Sequence, residues 1–508
     1  MRLFLHNANT FIDGSFTASD ILIEDGKIAS VLPAGTAVAP GDTEVVDLSG
    51  KHVFPGLVDV HVHFREPGFS YKETIATGSL AAARGGYTDV CPMPNLSPVP
   101  DSPKHLEEEL TLIRQQAVID VHPYGSLTVG EKGTEVADIE GMKDDVCAFS
   151  DDGVGVEDDS LMEEAMNRCK AVGKLAVAHC EVKSLMGGKH LNEGLASKAL
   201  GIVGISCESE WKMIERDIGV SKKTGCGYHV CHVSAADSVR AIREAKKAGV
   251  DITCETAPHY LLLDEEVLLK GGCAGGSKAP GQSGAMEQSD APGQSGVDSI
   301  KNEVIGILAR EAAQDNMTSG ESAGAGSSGT MTGEMPGGAI ETTGEGLVRD
   351  EKLLGRFKMN PPLRSRIDRE ELLKGLVDGT IDMIATDHAP HSKEEKERGI
   401  LGGPMGVSGI ECAFPVLYTG LVKTGVITLE KLVTLMSTNP ASRFGFESGI
   451  REGAVAKLCV YDLDERYTVR GADFASMGHF TPFEGVEVYG KCLMTVCGDR
   501  KICCQKDK

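Results

Sequence analysis

Apolar and polar residues alternate with a period of two near the start of the chain, the mark of strands with one buried face. Leu3-Phe-Leu and Asp20-Ile-Leu-Ile-Glu-Asp-Gly-Lys-Ile-Ala-Ser-Val-Leu32 are strand candidates, and Glu24-Asp-Gly26 inside the second is a hairpin signal. The same texture returns from about residue 454 to 501, in Lys457-Leu-Cys-Val-Tyr-Asp462 and Gly490-Lys-Cys-Leu-Met-Thr-Val-Cys-Gly498. Two β-rich ends predict one small β-sandwich, built from residues 1–53 and 454–508 around a larger central domain.

In the centre, residues 54–453, the pattern changes to short apolar runs separated by helical periodicity. Val58-Asp-Val-His-Val-His-Phe64 precedes a helix predicted over 74–84. Leu175-Ala-Val-Ala-His179 follows one predicted over 161–172, and Ile381-Asp-Met-Ile-Ala-Thr386 is a further strand candidate. Repeated β–α alternation over some 400 residues predicts an α/β fold with a parallel sheet, most economically closed as a (β/α)8 TIM-like barrel. In that fold reactive residues sit at the carboxyl ends of strands.

One segment breaks the alternation. Residues 271–346 are rich in Gly, Ser, Ala, Thr and acidic side chains, and Ala279-Pro-Gly-Gln-Ser-Gly284 recurs as Ala291-Pro-Gly-Gln-Ser-Gly296. Such a composition buries too little apolar area to offset chain ordering, so the segment is expected to be a disordered surface insert apart from a short helix at 298–314. It holds 18 of the 62 Gly. Without it, 432 of the 508 residues remain, enough for one barrel and one small sandwich, with no third domain needed.

Composition narrows the function. With 51 Lys and Arg against 75 Asp and Glu, the net charge is −24, which argues against nucleic acid as a partner. No apolar run of 18 residues occurs and the start lacks a basic and apolar leader, so a cytoplasmic protein with no membrane contact is expected. Fifteen scattered Cys fit reduced thiols. The Cys503-Cys504 pair lacks the partner CxxC of a zinc ribbon, and no Gly-x-x-x-x-Gly-Lys-Ser/Thr phosphate loop is found.

The candidate chemistry lies at strand ends. In His61-Val-His63 two imidazoles project to one side of a strand. Phe149-Ser-Asp-Asp-Gly153 offers a carboxylate able to bridge two cations. Ala178-His179-Cys180-Glu181 and His229-Val-Cys-His232 each end an apolar strand in His, and Ile384-Ala-Thr-Asp387-His-Ala-Pro-His391 ends one in Asp. A carboxylate there can bind a divalent ion through one oxygen and take a proton with the other. Four His and two Asp at successive strand ends are hard to explain as chance and are better explained as metal ligands.

The strings Asp59-Val-His-Val-His-Phe-Arg-Glu-Pro-Gly68, Cys91-Pro-Met-Pro-Asn95, Phe149-Ser-Asp-Asp-Gly153, Lys358-Met-Asn-Pro-Pro-Leu-Arg364 and Ala385-Thr-Asp-His-Ala-Pro-His391 resemble class I dihydroorotases of the bacterial stand-alone type, in the amidohydrolase superfamily. The resemblance implies two zinc ions per subunit. His61, His63 and Asp387 would hold one, His179 and His232 the other, with Asp152 and a hydroxide bridging. Asp152 is preferred to Asp151 because the family's bridging aspartate is the second of the pair. Many cyclic amidohydrolases bridge with a carboxylated lysine instead, but Asp145-Val-Cys-Ala-Phe-Ser150 contains none.

The implied reaction is the reversible hydrolysis of dihydroorotate to N-carbamoyl-L-aspartate, with Asp387 as the proton carrier. Arg65, Asn95 and His391 would serve the substrate carboxylate and Asn360 the ring amide edge. After His391, the charged run Ser392-Lys-Glu-Glu-Lys-Glu-Arg-Gly399 reads as a solvated helix turn or as a mobile loop over the mouth. The alternatives are another cyclic amidohydrolase (allantoinase, dihydropyrimidinase or hydantoinase) and a non-catalytic scaffold paralogue. The partner is a small molecule, and a homodimer or a complex with a pyrimidine-pathway enzyme is compatible with the resemblance.

Overall fold

A computed structural model describes residues 1–37, 42–269 and 354–504. The Gly-rich segment 271–346, with the helix predicted at 298–314, lies outside the described residues. The chain begins with five strands, β1 (Arg2–Ile12), β2 (Ser15–Glu24), β3 (Lys27–Pro33), β4 (Glu44–Asp47) and β5 (His52–Pro55). β1 and β2 pair antiparallel, as do β2 and β3, while β4 and β5 run parallel to successive stretches of β1. The expected hairpin turn joins β2 to β3. Glu24 pairs with Lys27, and Asp25 and Gly26 have φ of 49° and 73°, the positive pair that a two-residue turn of matching twist requires.

The centre supplies β6 (Leu57–Val62), β7 (Tyr87–Pro92), β8 (Asp120–Val121), β9 (Phe149–Ser150), β10 (Ala176–Ala178), β11 (Tyr228–Val230), β12 (Ile252–Thr256) and β13 (Met383–Ile384). β6 and β7 are buried at every residue, as expected of parallel strands covered on both faces. Helices alternate with them. Ile75–Arg84 follows β6, with Thr74 closing a capping box at its start, and Asp159–Ala171 follows β9. In Ala236–Lys247, after β11, Val239 and Ile242 lie on the buried face.

These eight strands form two parallel sheets, β6-β7-β8 and β9-β10-β11-β12-β13. Single parallel bridges join them at both edges. Gly125 pairs with Phe149 and Val62 with His388, through Ser150 N–H to Gly125 O at 2.9 Å and His63 N–H to His388 O at 2.8 Å. Among the described residues β6 to β13 do not form one continuous ladder. The strand predicted over 381–386 is regular only at Met383–Ile384, because the chain turns there toward Asp387, whose φ is 49°.

The chain closes with β14 (Lys457–Thr468), β15 (Glu487–Cys497) and β16 (Arg500–Cys503). β14 pairs antiparallel with β5, so both chain ends enter one eight-stranded sheet in the order β16-β15-β14-β5-β1-β2-β3, with β4 beside β1. Its two halves enclose a shared core of Leu3, Leu5, Ile21, Ile23, Leu458, Val460 and Val496. The sandwich expected from the two ends is therefore one hydrogen-bonded sheet rolled over its own apolar face. Its far edge returns to the start of β14, where Ile28 N–H reaches Ala454 O at 2.9 Å. Tyr461 from β14 and Thr495 from β15 bond the carbonyls of Gly85 and Ala83, which fixes the sheet to the first central helix.

Candidate metal centre

His61 lies inside β6 and His63 one residue past its end, and strand alternation turns both rings to one side, with centroids 5.3 Å apart. Asp152 follows β9, His179 follows β10, His232 follows β11 and Asp387 follows β13, so all six side chains gather at the carboxyl ends of the strands. His232 and Asp387 adopt φ of 31° and 49°, and Arg65 a φ of 62°. Non-glycine residues occupy this left-handed region at a cost, and such strain collects where side chains must be aimed.

The candidate ligand atoms converge. His61 Nε2 is 3.4 Å from Asp152 Oδ1 and 3.7 Å from Asp387 Oδ1, and His63 Nε2 is 3.1 Å from Asp387 Oδ1 and 3.6 Å from Asp152 Oδ2. His179 Nδ1 lies 2.9 Å from His232 Nε2, and these atoms are 3.9 and 3.8 Å from Asp152 Oδ1. His61, His63 and Asp387 form one set with ligand atoms within 4.8 Å of one another, and His61, Asp152 and His232 a second. His61 Nε2 and Asp152 Oδ1 are buried without a hydrogen-bond partner. Buried polar atoms left unpaired are costly, and a nitrogen and a carboxylate oxygen facing each other in this way suit a cation between them.

The electrostatics favour ionised carboxylates, while the four imidazoles divide: burial lowers His63 and His232, and neighbouring carboxylates raise His61 and His179 in spite of burial. Burial opposes charge on Asp387, but the hydrogen bond from His63 and the charges of His61 and His63 hold its pKa below the usual carboxylate range. Burial likewise works against an anionic Asp152, and His61 outweighs it, so this carboxyl is also held low. His232 is pushed down to about 4 by burial and by the neighbouring His179 and His61, which favours the neutral imidazole that a metal requires.

Asp151 and Asp152 have different duties. Asp151 Oδ1 accepts the N–H groups of Leu127 and Thr128 at 2.8 and 2.9 Å, and Oδ2 accepts the Thr128 hydroxyl. Its oxygens are consumed by the loop after β8, whereas Asp152 faces the histidines.

Glu255 on β12 was not among the residues singled out from the sequence. Its carboxylate accepts His61 Nδ1–H at 2.7 Å and lies 3.2 Å from His229 Nε2, so His61 presents Nε2 to the centre. Burial would raise its pKa, yet the charge of His61 and the bond to His229 bring it to about 2. The sequence signal was a carboxylate within an otherwise uncharged strand, Thr253-Cys-Glu-Thr.

The four residues expected to meet substrate stand around the centre. Asn95 has its amide engaged, with Oδ1 3.1 Å from His63 Nδ1 and Nδ2 3.1 Å from Asp152 Oδ2. Asn360 Nδ2 donates to Glu181 Oε1 at 3.2 Å, and its Oδ1 is buried with no partner. Arg65 reaches Pro390 O and His391 Nε2, each at 3.4 Å, and His391 Nε2 lies 2.7 Å from Met405 O. Elsewhere, Asp89, Asp120 and His122 form another acidic group, but Lys457 Nζ already stands 2.6 and 2.8 Å from the two aspartates.

Comparison with known proteins agrees with this geometry. A family profile described as Dihydro-orotase-like matches residues 50–238. A protein named Dihydroorotase from Bacillus cereus (strain AH820) is 41% identical over 497 residues, covering 97% of this chain and 96% of the relative. The chain belongs to the dihydroorotase family. A second member, from Bacillus cytotoxicus, is 40% identical over the same share. Among solved structures, L-hydantoinase (dihydropyrimidinase) from Arthrobacter aurescens matches with a TM-score of 0.73 at 23% identity, over 99% of this chain and 96% of the other. D-hydantoinase (dihydropyrimidinase) from Thermus sp. gives 0.72 at 22%, over 98% and 94%. These structures share the fold of cyclic amidohydrolases with this member of the family. The fold and the family together imply a metal, and the His and Asp groups above are where it would bind.

Proposed function

We propose that the protein is a zinc-dependent dihydroorotase that interconverts dihydroorotate and N-carbamoyl-L-aspartate in pyrimidine biosynthesis. Two zinc ions would be held, one by His61, His63 and Asp387, the other by His179 and His232, with Asp152 shared between them. The observation that carries this reading is the pair of buried, unpartnered atoms, His61 Nε2 and Asp152 Oδ1, at the meeting point of five strand ends. The same reading takes the two parallel sheets as one (β/α)8 barrel over residues 54–453, flanked by the sheet from 1–53 and 454–508. The single bridges at both edges support it.

Zinc held there would polarise the scissile amide carbonyl and lower the pKa of an attacking water toward neutrality. The protein's own groups do the rest. Asp387, kept ionised beside His63, takes the proton of the attacking water on a carboxylate oxygen and delivers it to the departing ring nitrogen. Arg65 turns a guanidinium toward the mouth, where it forms a forked pair with the substrate carboxylate. Asn360 offers its free Oδ1 to the ring N–H. Asn95, bonded to His63 and Asp152, holds both in place and so acts on the substrate through them.

The net charge of −24 means that this anionic substrate is attracted locally, not by the field of the whole chain. The fourteen described cysteines are unpaired, which fits a reducing cytoplasm. No helix among the described residues is long and apolar enough to cross a membrane. The test is turnover by zinc-loaded protein of dihydroorotate, dihydrouracil, hydantoin and allantoin side by side. Ring opening of dihydroorotate is expected, and exclusive action on one of the uncharged rings would overturn the reading.

A further inference from the structure

Lys396 sits within the charged run after His391, yet it is only 1% exposed and ranks among the largest fully buried side chains. Ser392 caps the short helix Lys393–Lys396 that carries it inward. Its ammonium donates to three main-chain carbonyls, Lys358 O at 3.2 Å, Pro404 O at 3.2 Å and Gly406 O at 2.7 Å. These bonds use all three N–H groups, and no carboxylate takes part. Burial, then the charge of Lys358, bring its pKa down to about 7. A buried ammonium without an opposite charge in contact is costly, and an apolar side chain of similar length would fill the space without that cost. What only the ammonium does is draw three carbonyl oxygens to one point.

Those oxygens belong to segments that carry or touch proposed substrate contacts. Lys358 lies two residues before Asn360. Pro404 and Gly406 flank Met405, whose carbonyl is 2.7 Å from His391 Nε2, and His391 in turn is 3.4 Å from Arg65 Nη2. The two segments also meet directly through Gly406 N–H to Lys358 O at 3.0 Å. At Gly406, with φ of +124°, an added Cβ would fall 2.6 Å from Ala389 O and 2.9 Å from His391 Nε2, so the turn packs closely on His391 and has no room for a side chain.

We propose that Lys396 is a positioning residue for substrate binding: it ties the 358–360 and 404–406 segments together and so sets where Asn360, His391 and Arg65 stand at the mouth. The proposal rests on the dihydroorotase reading and adds to it a residue that touches neither the metal centre nor the substrate. It also changes the meaning of the charged run, which is an anchored wall of the site.

The test compares zinc-loaded full-length wild type with Lys396→Met. The expected result is a rise of about tenfold or more in KM for dihydroorotate and in Kd for N-carbamoyl-L-aspartate, with kcat within threefold. Zinc content should match the wild type, and the thermal midpoint should stay above the assay temperature although the carbonyl oxygens left unpaired lower it. The double variant with His391→Ala should lose less than the sum of the two single losses, because part of what Lys396 positions is already gone. An unchanged KM and Kd, or a KM rise matched by lost zinc or by additive losses in the double variant, would overturn the proposal. If Lys396→Met does not fold, Lys396→Gln, which keeps two N–H groups, carries the same comparison with a smaller expected rise. Wild type that fails to turn over dihydroorotate would instead overturn the dihydroorotase reading itself.

Discussion

Replacing Glu255 by Gln tests the histidine alignment on which the metal centre depends. The carboxylate accepts His61 Nδ1–H at 2.7 Å, lies 3.2 Å from His229 Nε2 and 3.3 Å from the main-chain nitrogen of His232, and is fully buried. It therefore touches one proposed ligand by its ring and another by its backbone. Gln keeps the size and one acceptor but loses the charge, so His61 loses a charge-assisted bond and the fixed tautomer that aims Nε2 at the centre. Outer partners of this type contribute roughly 10- to 100-fold in metal affinity, or about 1.4–2.8 kcal/mol.

The assay is competition for zinc between the apo-protein and a chelator of known affinity, with the thermal midpoint of the apo-protein as a check on folding. Glu109→Gln serves as a control, since Glu109 is equally buried, has no hydrogen-bond partner on either oxygen, and lies on a helix away from the centre. Zinc affinity of Glu255→Gln within twofold of wild type, or a loss equal to that of Glu109→Gln, would refute the reasoning.

Three further outcomes follow from the same geometry. Asp152→Asn should release zinc while Asp151→Ala retains it and instead loses stability, by about 1–3 kcal/mol for each N–H left unpaired at Leu127 and Thr128; zinc analysis and denaturant melts distinguish them, and the reverse pattern would assign the ligand to Asp151. Arg65→Lys should raise KM for dihydroorotate by about tenfold with kcat less affected, because a point charge replaces a planar fork; an unchanged KM would remove Arg65 from the carboxylate contact. Glu411 is raised from 4.5 to about 7, by burial first, although Arg84 stands 3.4 Å away. Its folded-state pKa exceeds the unfolded value, so the stability it lends is complete below 4.5 and is lost as pH rises through about 7. Denaturation at pH 5 and pH 8 should show a smaller difference for Glu411→Gln than for wild type, and equal differences would contradict this.

Much of the site could be read from the chain because its residues obey short-range rules. His61 and His63 share a side since strand side chains alternate, and His179, His232 and Asp387 each end an apolar run at a place where parallel β–α units leave residues exposed to a common mouth. Glu255 escaped notice because its partners, His61 and His229, are 194 and 26 residues away, and nothing local marks a strand carboxylate as a support for them. Lys396 was hidden by its neighbours. A run averaging several charges reads as solvated, although one of its members points inward. The pairing of β5 with both β1 and β14, which builds the two ends into one rolled sheet, joins segments some 400 residues apart and depends on packing that periodicity does not encode. Periodicity did locate the helices after β6 and β9 to within two residues, where a cap or an acidic first turn supports the apolar face.

The central claim is that four histidines and two aspartates at the strand ends hold two zinc ions that act on dihydroorotate. Titration of metal-free protein with zinc, while the closure of N-carbamoyl-L-aspartate to dihydroorotate is followed, tests it most directly. The account predicts no turnover without zinc and activity rising to a plateau near two equivalents per chain. A plateau reached at one equivalent would contradict the paired centre, and full activity without zinc, or none at any loading, would contradict the account as a whole.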